Sequence, residues 1–89
     1  MSVQYDGPAT GSTAVLPQLA EIIRVVTDTP VEDVHLDRTF VDELRIDSLA
    51  MVEILEGSAR HFGVPIEDED AKRFVRVGDL VDYIARRLS

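Results

Sequence analysis

Two proline-containing stops, Thr27-Asp28-Thr29-Pro30 and Gly63-Val64-Pro65, cut this chain into stretches whose apolar residues recur with helical period. The residue before a proline is driven out of the helical region, and a glycine followed by a proline ends a helix firmly. Ahead of the first stop, Val15, Leu16, Leu19, Ile22, Ile23 and Val26 keep the i, i+3, i+4, i+7 spacing of an amphipathic helix. Pro17 fits the first turn of that helix, where a missing N–H costs nothing. Between the stops a second helix is predicted from Ser48 to about Phe62. Its stripe of Leu49, Val52, Leu55, Ala59 and Phe62 is expected to face the core, with Met51 and Ile54 away from its centre. Gly57 inside this helix suggests close packing against a neighbour.

Beyond the second stop, Glu67-Asp68-Glu69-Asp70-Ala71-Lys72-Arg73-Phe74 has acids first and bases last, which matches the dipole of one short helix. Val77, Leu80, Val81, Ile84 and Leu88 mark a final helix. No segment alternates with period two for long enough to be a strand. The predicted fold is therefore all-α: a four-helix bundle with three longer helices, a short third one, and a long loop from Val31 to Asp47 between helices one and two. In that loop Val34, Leu36, Phe40, Val41, Leu44 and Ile46 are expected to pin the backbone across the bundle.

Residues 1–13, with Gly7, Pro8, Gly11, Ser12 and Thr13, show no periodicity and read as a flexible N-terminal tail, leaving 14–89 as the helical bundle. Eighty-nine residues make one domain. Apolar residues are plentiful at 45%, but three Phe and two Tyr are its only aromatics, so the core encloses little beyond its own side chains and one slender guest. A deep catalytic cleft is not expected at this size, which favours a module that enzymes act on over an enzyme. The net charge of −8 counts against nucleic acid and anionic membranes and points to basic protein surfaces as partners. There is no cysteine, so no chain thiol can serve as nucleophile, metal ligand or thioester carrier. No apolar run approaches the roughly 20 residues that span a bilayer, and no signal peptide is evident. A cytoplasmic, monomeric protein is expected.

The chemistry concentrates at Asp47-Ser48-Leu49. Ser48 stands at a helix N-terminus, where unpaired N–H groups and the dipole favour an anion such as a phosphodiester. Asp and Ser are also ordinary residues for starting any helix. The surroundings are more specific. Phe40-Val41-Asp42-Glu43-Leu44 precedes the serine and Ser48-Leu49-Ala50-Met51-Val52-Glu53 opens the helix. A Phe62-Gly63 turn, the acidic run after Ile66, and Val77 with Asp82-Tyr83-Ile84 follow. Over about Val15 to Ile84 the chain resembles acyl carrier proteins, most closely the freestanding carriers of actinobacterial fatty-acid and polyketide systems.

That resemblance implies a 4′-phosphopantetheine arm attached to Ser48 by a separate phosphopantetheinyl transferase using Mg2+, with acyl groups carried as thioesters on its thiol. It implies that Asp47 helps the transferase and its metal engage, and that Leu49 is partly buried to anchor the serine turn and partly open to partners. Asp42, Glu43, Met51, Glu53 and Glu56 would meet acyl-transfer and condensing enzymes with basic docking surfaces. Arg45 departs from the family, standing where a glycine is common. The competing readings are an unmodified acidic interaction module and a peptidyl or aminoacyl carrier. No catalytic residue is assigned. No metal site is assigned either, since Glu67–Asp70 lacks the alternating spacing and central glycine of a calcium loop.

Overall fold

A computed structural model describes residues 7–88, with side chains from Ala14 onward. Four helices follow one another: α1, Gly7–Thr27; α2, Ser48–Phe62; α3, Asp68–Ala71; and α4, Val77–Leu88. A 3₁₀ turn, Val31–Asp33, interrupts the connection between α1 and α2. Among the described residues the only extended pairing is one antiparallel bridge, Thr39 to Arg76. The fold is the all-α bundle with a short third helix.

α1 is the spine and packs against both α2 and α4. It contributes Val15, Leu19, Ala20 and Ile23 to the core, while α4 contributes Val77, Leu80, Val81 and Ile84. Leu88 lies outside that cluster, about half exposed in the last turn. Both α4 termini obey simple electrostatics. Asp79 in the first turn accepts the Val75 and Arg76 amides at 2.9 Å, and Arg86 and Arg87 occupy the negative end of the dipole.

Three features differ from the sequence reading. α1 begins at Gly7, so Pro17 lies inside it and not in its first turn. Apolar periodicity is the mark by which a sequence shows a helix, and residues 7–13 carry none. Of the expected tail, residues 1–6 lie outside the described residues, whereas 7–13 are helical.

The second difference is the buried face of α2. Its fully buried residues are Ile54 and Ser58, with Met51 half-buried against the core; Leu49 and Val52 are exposed. The helix is turned by one stripe from the expected orientation. The residues Leu49-Val52-Ala59 and Met51-Ile54-Ser58 form adjacent stripes, and a serine in the second disguised it as the polar one. Gly57 is not demanded by packing either, since an added Cβ would meet Ile22 Cγ2 at an ordinary 3.5 Å.

The third is the loop. Val34, Phe40 and Ile46 are buried and Leu44 is partly so, but Leu36 and Val41 are exposed. Backbone bonds to the segment before α4 supply the rest of the anchoring: Phe40 N–H to Val75 O (3.0 Å), Val77 N–H to Arg38 O (2.9 Å) and Gly78 N–H to Leu36 O (2.8 Å). Glycine suits position 78, because a Cβ would stand 3.0 Å from the Leu36 carbonyl oxygen, a tight contact that the loop would have to relieve by a small shift.

Candidate functional site

The loop ends at Asp47, whose extended backbone (φ −81°, ψ 174°) makes it the N-cap of α2. Asp47 Oδ1 accepts the Ala50 amide at 2.8 Å, and the Asp47 carbonyl accepts the Met51 amide at 2.9 Å. The amides of Ser48 and Leu49, in the first turn, have no intrahelical acceptor. Ser48 is therefore the first residue of the helix, exposed, with free donors beside its hydroxyl and the positive end of the dipole beneath it. The Asp47 carboxylate is turned to the Ala50 amide, which leaves the Ser48 and Leu49 amides to face an anion at Ser48.

Leu49 is 71% exposed, so it does not anchor this turn. The anchor is Ile46, buried one residue before the cap, with its N–H donated to Phe40 O at 2.9 Å. Arg45 reaches this geometry through a left-handed backbone, φ 59°, and is exposed, in no ion pair among the described residues. The rarity of that conformation for a non-glycine residue was not readable from spacing.

The acidic residues divide into two groups. Glu43 is engaged locally: its Oε1 accepts the Thr39 amide at 2.8 Å, Thr39 Oγ1 accepts the Glu43 amide at 3.0 Å, and Arg38 lies 3.8 Å away. Asp42, Glu53 and Glu56 are exposed and make no ion pair or side-chain hydrogen bond among the described residues. Met51, expected on the partner face, is half-buried against the core.

From the Ser48 end, exposed Leu49 and Val52 form an apolar strip leading to a cleft of about 170 Å³ between α2 and α3. Val52, Leu55, Ala59, Ile66 and Ala71 line it, with Glu56 and Asp68 at its polar edge. A hydroxyl with free amides at one end of an apolar track can hold an esterified phosphate and lay a flexible attached chain along the helix.

Comparison with known proteins agrees with this chemistry. Residues 17–84 match the family model described as the phosphopantetheine attachment site. The chain belongs to the acyl carrier protein family. It is 44% identical over 77 residues to an acyl carrier protein of Acidothermus cellulolyticus, spanning 86% of this chain and 92% of that protein. Its identity to a meromycolate extension acyl carrier protein of Mycolicibacterium aurum is 42% over 78 residues, covering 88% and 80% of the two chains. A solved acyl carrier protein structure from Enterococcus faecalis superposes with a TM-score of 0.71 at 33% identity, covering 84% of this chain and 95% of that one. The family's prosthetic group is 4′-phosphopantetheine.

Proposed function

We propose that this acyl carrier protein holds acyl intermediates as thioesters on a 4′-phosphopantetheine arm esterified to Ser48 and delivers them to separate enzymes of fatty-acid, polyketide or related biosynthesis. The observation that carries this reading is the exposed Ser48 hydroxyl in the first turn of α2, inside the region matched by the attachment-site model. When bound, the group supplies the terminal thiol that a chain without cysteine lacks. The chain's own residues supply the rest. Ser48 provides the ester oxygen, the free amides of the first turn favour the phosphate's charge, and Asp47 fixes the turn. The protein itself is non-catalytic; tethering raises the effective concentration of cargo at partner active sites.

The partners in this reading are a phosphopantetheinyl transferase and acyl-transfer and condensing enzymes whose basic surfaces meet Asp42, Glu53 and Glu56. The similarity to a meromycolate extension carrier makes long-chain lipid extension one candidate setting. No helix among the described residues is long and apolar enough to cross a membrane. In this reading the carrier acts as a cytoplasmic monomer.

Incubation with a broad-range transferase, coenzyme A and Mg2+ tests the assignment. Mass spectrometry is expected to show one added phosphopantetheine on the wild type and none on Ser48→Ala. An unmodified wild type across several transferases, or a modified alanine variant, overturns it in favour of an unmodified interaction module or another attachment residue.

A further inference from the structure

Among the described residues Ser58 is the buried polar residue of the core. It is 0% exposed, as is Ile54 on the same face of α2, and its hydroxyl has no hydrogen-bond partner among the described residues. A serine within a helix commonly turns its hydroxyl to the carbonyl four residues back; this one does not. A buried hydroxyl left unmet costs stability, whereas an apolar side chain at the same place incurs no such loss. The position is thus polar at the expense of the fold, and its hydroxyl is open to a hydrogen-bonding group from outside the described residues.

The structure also indicates how such a group could arrive. Leu55 and Ala59, neighbours of Ser58 on α2, line the cleft between α2 and α3, and Ser58 itself lies behind them on the core side with Ile54. The outer wall of that cleft, α3, is a single turn, Asp68–Ala71, tied to α4 by the Tyr83 hydroxyl donated to Asp70 at 2.9 Å. Ser58 lies ten residues past Ser48, about 15 Å along the helix axis. An extended phosphopantetheine arm can cover that rise, along the strip begun by Leu49 and Val52.

We propose that Ser58 Oγ is an interior hydrogen-bonding contact for the carried acyl chain, so that the bundle holds a chain bearing a keto or hydroxyl oxygen in preference to a saturated chain of equal length. This rests on the carrier reading. A serine hydroxyl can donate to a ketone or accept from an alcohol, and a saturated chain offers it neither. Entry of the cargo displaces no bonded partner of Ser58, because none of the described residues fills that role.

The test loads the protein from octanoyl-, 3-oxooctanoyl- and 3-hydroxyoctanoyl-coenzyme A with a permissive transferase and confirms each product by mass. A failure to load bears on the carrier reading, not on Ser58. With loaded protein, the oxygenated chains are expected to shift the amide resonances of Leu55, Ser58 and Ala59 and to raise the melting temperature over the unacylated arm by more than octanoyl does. Ser58→Ala, which removes the hydroxyl without adding bulk, should erase the difference between cargoes, and Ser58→Thr should retain it. Equal effects of all three chains on the wild type, a preference that survives in Ser58→Ala, or no perturbation near Ser58 by any chain overturns the proposal.

Discussion

The amide of Ile46 donates to the carbonyl of Phe40 at 2.9 Å, and both side chains are buried. This closure delivers the chain to Asp47 and so fixes where Ser48 emerges. It is reached through Arg45 at φ 59°, a conformation that costs a non-glycine residue about 1–2 kcal/mol.

Arg45→Gly should relieve that strain. Glycine gives back part of the gain through its greater freedom in the unfolded chain, so a net stabilisation of about 0.5–1 kcal/mol is expected. Denaturant melts should show a higher midpoint at unchanged slope. A lower midpoint would mean that the Arg45 side chain contributes more to the loop than its backbone costs.

Asp47 caps α2 through one bond to the Ala50 amide. Asp47→Ala should cost about 1 kcal/mol, and Asp47→Asn, an equally good cap, should restore most of it. The two variants separate capping from charge. If the carboxylate also engages the transferase and its metal, the asparagine variant will be stable but slow to accept the arm. Normal modification kinetics in Asp47→Asn would confine this residue to capping.

How much of this was legible in the sequence depends on which signal each residue leaves. The buried face of α4 could be read from Val77, Leu80, Val81 and Ile84 because polar residues fill its opposite side. On α2 the same reasoning chose the wrong stripe. Leu49 and Val52 look like core, yet they are exposed, while Ser58 looks like surface and is fully buried. Periodicity marks that a face exists and cannot choose between two adjoining apolar stripes when one contains a hydroxyl. The place of Ser48 at the start of α2 followed from its neighbours, Asp47 before it and an apolar period after it. The local engagement of Glu43 by Thr39 did not, since that pairing depends on how a non-repetitive loop folds.

Ser58→Ala should stabilise the unloaded protein by about 1 kcal/mol, because the unmet hydroxyl is removed and little volume is lost. Thermal and urea melts should agree on the sign. A destabilised alanine variant would show that the hydroxyl finds a partner in solution that outweighs its desolvation.

Tyr83 joins α4 to α3, and partial desolvation together with its hydrogen bond to Asp70 holds its phenol pKa above the ordinary value of 10.0. A raised pKa in the folded state means that the phenol form is favoured by folding. Its contribution is complete below about pH 10 and fades as the pH climbs through the raised value. Tyr83→Phe should therefore be less stable than the wild type at neutral pH, with the gap narrowing at alkaline pH as the phenolate comes to face the Asp70 carboxylate. A gap that stays constant from neutral to strongly alkaline pH would remove Tyr83 ionisation from the account.

Glu53 and Glu56 stand exposed on α2 and make no ion pair among the described residues, in a chain of net charge −8. Their charge does little for the fold, so reversing both to lysine should leave the helix content unchanged and raise stability modestly by easing self-repulsion. Partner association should respond the opposite way. If basic enzyme surfaces are steered onto this face, the Glu53→Lys, Glu56→Lys double variant should lose association rate with a cognate condensing enzyme or transferase by ten-fold or more at low salt, on the order expected for lost steering. The loss should shrink as NaCl is added, because screening already weakens the wild-type attraction beyond a Debye length of about 10 Å at 0.1 M. Stopped-flow association across a salt series reads both trends. Equal rates for the two proteins at low salt would reduce this face to solvated surface and move the docking site elsewhere on the bundle.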